Sequence, residues 1–311
     1  MSATRDAPIL RAWPRPARRG WRLAARAFWL RRSAAAGACV VGVVVAAALL
    51  APWIAPHDPT QHRLLERLQP PGLGAHLLGT DNFGRDQLAR LVYGARVSLL
   101  VGVVSVVIAA GLGAGCGLLG GYYGGRLDTL LMRVVDVLMA FPLILLAIAI
   151  VAVLGGGLFN LMLAVGVSSI PPFARLVRGE VLAQRSRDYV EAARALGAAG
   201  GRVMGRHILP NTLSPIIVLS TLRVSTVILT ESSLSFLGLG VAPPTPTWGN
   251  MVADGTKFLQ TAPWISIVPG VAIMLTVLAF NLFGDGLRDA LDPRLKGEIG
   301  LPAAADRVPG R

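Results

Sequence analysis

VSLLVGVVSVVIAAGLGAGCGLLGGYYGG, residues 97–125, carries no charged side chain over a length that exceeds the ~20 apolar residues a helix needs to cross a hydrocarbon core. It opens after Arg96 and closes before Arg126. Working outward, the same silence recurs between Arg32 and Asp58, between Asp136 and Arg175, and between Lys257 and Asp285. The Asp136–Arg175 gap is 38 residues long and is interrupted by Gly155, Gly156 and Gly157, so it has room for two spans. With 53% hydrophobic and 15% charged residues in 311, the chain has too little polar surface to coat a water-soluble globule, which argues against a soluble enzyme.

The pattern predicts an all-α membrane protein with six transmembrane helices, over residues 34–54, 98–119, 129–154, 158–177, 213–237 and 264–283. An even number of spans puts both termini on one side. Nine Arg against one Asp precede residue 34, so that side is expected to be the cytoplasm. With this orientation the inner segments hold 23 Arg or Lys and the outer segments six. The chain then divides into an Arg-rich cytoplasmic tail (1–33), a first span with an external segment (34–96), a five-helix core (97–291) with a cytoplasmic loop at 178–212, and a cytoplasmic C-terminal tail (292–311). A cleaved signal peptide is the competing reading of the first 55 residues. Its apolar run is too long and ends in Leu49, Leu50, Pro52 and Trp53 rather than a small-residue cleavage site.

The net charge of +13 follows the loops rather than one face, which weighs against nucleic acid as a partner. Cys39 and Cys116 lie inside apolar runs without Cys-x-x-Cys spacing, and the four histidines form no ligand motif, so no metal site is expected. Within the second span, Gly111 with Gly115, Gly113 with Gly117, and Gly117 with Gly121 are small pairs four apart, a face for close helix packing. Pro142, Pro171, Pro172 and Pro269 lie within or beside spans, where they either kink the helices to shape a pathway or reflect only that proline is commoner in membrane helices than in soluble ones. Arg223 and Glu231 fall inside the fifth span; at insertion costs of about 2.5–3.5 kcal/mol each at the bilayer centre, they should face protein or water. They are read either as a polar pathway or a subunit contact, or as structural hydrogen bonding. Arg133 and Asp136 are expected to pair locally.

The loop SRDYVEAARALGAAGGRVMGRHILPN, residues 186–211, contains Asp188 followed three residues later by Glu191, a capping-box spacing. Tyr189, Ala193 and Leu196 share a helical face, and Gly197 supplies a stop. A second short helix is expected from about Arg202, ending before Pro210.

Here the chain resembles the permease subunits of ATP-binding-cassette importers. Glu191-Ala192-Ala193, Gly197 four residues on, and Ile208-Leu209-Pro210 match their EAA motif. HLLGTDNFGRDQLARLVYGARVSLLVG (76–102) and ESSLSFLGLGVAPPTPTWGNM (231–251) resemble the C-type permease subunit of dipeptide, oligopeptide and nickel importers. Ala89 stands where that family usually has a hydroxyl residue, and Gly200, Gly201 and Gly205 replace positions that are often bulkier.

The resemblance implies the type I importer permease fold in a bacterial inner membrane, with Asp188, Glu191, Ala192, Ala193, Gly197, Ile208, Leu209 and Pro210 forming a coupling segment that docks in a groove on an ATPase. It also implies the partners: a second, B-type permease, two ATP-binding subunits and an extracytoplasmic solute-binding protein. Asp81, Arg85 and Trp248 are candidates for the outer rim, and Arg223 and Glu231 for the path. The chain itself is expected to be non-catalytic and to bind no cofactor. A P-loop needs Gly before Lys, whereas Thr256 precedes Lys257 and Leu295 precedes Lys296, so ATP and Mg would be used by partner subunits. The alternative function is a stand-alone ion- or proton-coupled carrier, which would expose ionisable groups near the midplane of broken helices.

Overall fold

The structure, a computed structural model, describes residues 28–291 except 56, 73 and 74. The tail up to residue 27 and the residues from 292 onward lie outside the described residues. Helices of eight residues or more are α1 (Arg32–Leu49), α2 (Gln87–Tyr123), α3 (Gly125–Met139), α4 (Leu143–Leu154), α5 (Leu158–Ser168), α6 (Ile170–Arg185), α7 (Asp188–Ala195), α8 (Leu209–Phe236), α9 (Trp248–Gly255) and α10 (Trp264–Leu291). No strand forms among the described residues beyond an isolated bridge between Thr80 and Asp86.

Among the described residues, four helices are long and apolar enough to cross a membrane: α1, α2, the continuous run Gly200–Phe236 that contains α8, and α10. Two bent pairs raise the count to six, α3 with α4 at 94° and α5 with α6 at 41°. The third expected span is therefore not one helix. Pro142 has no N–H to donate and disfavours helical geometry in the residue before it, and the backbone turns between Met139 and Leu143. The 12 residues of α4 reach only about 18 Å, short of the ~30 Å hydrocarbon layer. The fourth expected span likewise bends at Ser169, just before Pro171 and Pro172.

Other boundaries also shift. The first expected helix stops at Leu49 and is followed by a single turn, Ala51–Ile54, around Pro52. The stretch expected to end before Pro210 runs on instead. A π turn over Met204–Ile208 has already changed the hydrogen-bond register, and Pro210 sits in the first turn of α8, where a missing N–H costs little.

The centre of the bundle is α2. At Gly117 an added Cβ would lie 2.5 Å from the Ala174 carbonyl oxygen, and at Gly113 and Gly121 it would meet Phe173 and Val181 of α6. This glycine edge lets the two backbones touch, which in lipid supplies the contact that hydrophobicity cannot. Among the described residues, nothing lies within 4 Å of where a Cβ would stand at Gly111 or Gly115. On its other side α2 packs against α8, where Val101 meets a core of Val227, Ile228 and Leu234. α10 closes the bundle against α1, α8 and α9. Many large apolar side chains remain outside, among them Val43, Val107, Leu130, Leu145, Val153 and Leu278, as expected where the solvent is lipid or another apolar subunit.

Candidate functional site

At one end of the bundle the chain leaves α6, makes α7 and returns into α8. The residue before α7, Arg187, is extended and has no side-chain acceptor, so it cannot cap; Asp188 is already the first helical residue. The expected capping box is therefore absent, and Asp188 and Glu191 act only as acidic groups in the first turn, favourable to the helix dipole. The stop at Gly197 is as read. With φ +80°, its N–H donates to the Arg194 carbonyl at 2.9 Å and the Ala198 N–H to the Ala193 carbonyl at 3.1 Å, a Schellman closure that any residue with a Cβ strains.

One residue pins α7. Val190 is fully buried with Val177 and Val181 of α6, and with Val203, Ile208 and Ile216, a contribution of about 1.5–3 kcal/mol. Ala193 rests against the same cluster. The face expected from Tyr189, Ala193 and Leu196 is not the buried one: Leu196 is 89% exposed and Tyr189 is partly exposed. Asp188, Glu191, Ala192 and Gly197 are also exposed, whereas Ile208 is fully buried and Leu209 half-buried beneath them. The loop is braced to the end of α2 by Arg185, which donates to the Gly121 and Tyr122 carbonyls at 3.2 and 3.3 Å, and by Arg194, 4.9 Å from the centre of the Tyr122 ring. Arg178 of α6 forks onto Asp128 of α3 with two contacts of 2.6 Å. Asp136 pairs with Arg175 at 2.7 Å rather than with Arg133, because the bend after α3 brings α6 alongside.

The opposite end buries its charges. Asp81 accepts from the backbone N–H of Phe83 and Arg85 and from the Arg85 guanidinium, while Arg90 lies 3.5 Å from both Asp81 and Asp254. Asp81 is 1% exposed and Arg90 2%. Asp86 caps α2 by accepting from the Ala89 N–H at 2.8 Å. His76 lies between two carboxylates, Nδ1 2.8 Å from Asp86 and Nε2 3.1 Å from Glu66. Burial alone would lower the His76 pKa, but those two hydrogen bonds outweigh it and the net shift is upward; the His76 contact holds Glu66 below its ordinary value. Trp248, 2% exposed, donates its indole N–H to the Leu91 carbonyl at 2.9 Å. Asp81, Arg85 and Trp248, read from sequence as an outer rim, thus share one layer, but their side chains point into it.

Glu231 is fully buried and accepts from Ser98 of α2 at 3.1 Å and from Ser235 at 2.7 Å, which ties α8 to α2. Arg223 is half-buried. Glu231 lies beside Thr247 and the first turn of α9 that carries Trp248, but among the described residues Arg223, Asp81 and Arg85 are not gathered with it in a single site. Sequence reasoning did not single out Val190, Tyr122, Arg90 or Asp254. Arg85 and Asp254 are 169 residues apart, so only the folded chain reveals their proximity.

Comparison with known proteins matches residues 107–297 to the family described as binding-protein-dependent transport system inner membrane component, and residues 20–71 to the N-terminal TM domain of oligopeptide transport permease C. The di/tripeptide transport system permease protein DppC of Pseudomonas aeruginosa is 45% identical over 95% of this chain and 99% of its own. The glutathione transport system permease protein GsiD of Escherichia coli O6:K15:H31 is 47% identical over 91% of this chain and 94% of its own. The dipeptide transport system permease protein DppC of Alkalihalophilus pseudofirmus is 46% identical over 89% of this chain and 90% of its own.

Proposed function

The chain belongs to the binding-protein-dependent transport system inner membrane components, and from that membership we propose that it is the C-type permease subunit of an ATP-driven importer of di- or oligopeptides or related small solutes. It resides in a bacterial inner membrane with both termini in the cytoplasm. There it encloses a path with a B-type permease, two ATP-binding subunits dock below, and a solute-binding protein delivers cargo above. The chain performs no catalysis and binds no nucleotide of its own; ATP and Mg serve the partner subunits.

The observation that carries this reading is the loop between α6 and α8. α7 is pinned by Val190 on one face and offers Asp188, Glu191, Ala192 and Leu196 on the other. Small Ala192 permits close approach to a partner groove, and Glu191 presents a charge to it. Ile208, Leu209 and Pro210 lie at the entry to α8, so a pull on α7 passes through Val190 and Ile208 into α6 and α8 at once. The Arg194–Tyr122 stack carries the same displacement to α2, and through the glycine edge α2 and α6 move as a pair. Gly197 is the hinge that lets α7 turn relative to the helix that follows. A stand-alone carrier would need a free ionisable group at depth, and Glu231, held by Ser98 and Ser235, is poorly placed to be one.

The test is Glu191→Lys in the assembled transporter. The ATP-binding subunits are expected to co-purify at least ten-fold less well while the permease remains in the membrane. Unchanged co-purification contradicts the docking role.

A further inference from the structure

We propose that His57, His76 and Asp86 form a binding site for one divalent transition-metal ion of the zinc class. The site lies at the end of the bundle away from α7, and the proposal stands independently of the transport reading.

One nitrogen from each histidine and one Asp86 oxygen lie within 4.8 Å of one another. The two imidazole rings are 5.0 Å apart at their centres and tilted by 41°. His76 and Asp86 are buried, and half-buried His57 leaves the cluster open on one side. Two imidazoles and one carboxylate suit zinc, nickel or copper rather than magnesium or calcium, which prefer all-oxygen sites.

The surroundings argue further than the three donors alone. His76 turns Nδ1 toward Asp86, which makes Nδ1 the ligand atom, and its Nε2–H then donates to Glu66 at 3.1 Å. A carboxylate behind a metal-bound imidazole is the arrangement that fixes the tautomer and orients the ring. Asp86 is held in the same way: its Oδ2 accepts from the Ala89 N–H at 2.8 Å, leaving Oδ1 for the ion. Two of the three ligands therefore have their orienting partners in place.

Zinc bonds of ~2.0–2.2 Å put tetrahedral ligand atoms about 3.3 Å apart, so the His76–Asp86 pair at 2.8 Å must open by about 0.5 Å while an atom as much as 4.8 Å away closes by about 1.5 Å. His57, on the loop after α1 and the least buried of the three, supplies that movement. A water completes the fourth position, and the Nδ1 proton of His76 leaves to solvent as the ion enters. The ion would fasten the segment from His57 to Thr80 onto the first turn of α2.

The experiment uses the full-length chain purified with its transporter partners, stripped with a chelator and titrated with Zn2+, with bound metal counted by mass spectrometry and Co2+ absorption reporting the geometry. One Zn2+ per chain is expected. His57→Ala should weaken binding at least ten-fold and Glu66→Gln about 10–100-fold, the usual cost of removing an orienting partner. His62→Ala, a histidine outside the cluster, should have no effect. Chelation should lower the melting temperature of the wild type but not of His57→Ala. If that variant folds poorly, His57→Gln takes its place. No Zn2+ bound by the wild type, unchanged affinity in the His57 variants, or equal loss in His62→Ala each overturns the proposal and leaves His76 as a hydrogen-bonded clamp alone.

Discussion

The two ends of the molecule treat charge in opposite ways. Around Asp81 the ionic groups are paired with one another inside the protein: Arg85 and Arg90 are almost completely buried, and Asp81 spends its two oxygens on three donors. Around α7, Asp188, Glu191, Arg187 and Arg194 all stand exposed, and the helix is held chiefly by Val190, with Ala193 beside it and Arg194 over the Tyr122 ring. A buried ionic network withstands displacement, because taking away one member leaves another charge desolvated and unpaired. A helix fastened by the small apolar contact of Val190 and Ala193 and by the Arg194–Tyr122 brace, and ended by a left-handed glycine, can be moved at smaller cost. The first end resists deformation, and the second is the one that the proposed function has a partner grip.

The largest expected effect tests the rigid end. Asp81→Ala removes the acceptor for Arg85 and for two backbone N–H groups, and the loss should be about 3–5 kcal/mol, read as a lower melting temperature and poor recovery from the membrane. A melting temperature unchanged within error would show that this network is ornamental. Next is the α2–α6 pair, which the proposed function makes the link between the two ends. Gly117→Val places a Cβ against the α6 backbone at Ala174, with an expected cost of about 1–3 kcal/mol and reduced uptake, whereas Gly115→Ala, with open space around it, should be neutral. Equal effects at the two glycines would remove the α2–α6 edge from the account. The smallest stability effect is expected at the movable end. Leu196→Ser should leave melting within about 0.5 kcal/mol, since the side chain touches little. Uptake by the assembled transporter should nonetheless fall, and unchanged uptake would take Leu196 out of the docking face.

Much of this contrast was legible in the sequence, but unevenly. The gaps between charges located the spans because lipid tolerates few ions, and the glycine spacing found the α2 face at Gly113, Gly117 and Gly121. It also indicated Gly111 and Gly115, which meet nothing, since spacing alone cannot say which side of a helix has a neighbour. Pro142 was visible as a kink, but not that the bend would reach 94° and bring Arg175 rather than Arg133 to Asp136. Pro210 misled in the other direction: a proline reads as a stop, and the π turn before it, which removes that consequence, has no local signature. Asp81, Arg85 and Trp248 were recognisable as a motif, but whether a motif side chain points out toward a partner or in toward Asp254 is decided by tertiary contact. Val190 escaped for a similar reason, because its burial depends on Val203 and Ile208 from the far side of the loop.

The central claim is that α7 is a lever whose hinge is Gly197. It is tested most directly by measuring solute imported per ATP hydrolysed in proteoliposomes containing the complete transporter, with wild-type and Gly197→Val permease. At φ +80° a β-branched residue is strained by about 1–2 kcal/mol, enough to shift the α7 exit while the bundle stays folded. The account predicts that hydrolysis continues while import falls at least ten-fold. An import-to-hydrolysis ratio equal to that of the wild type, in a correctly assembled complex, would contradict it.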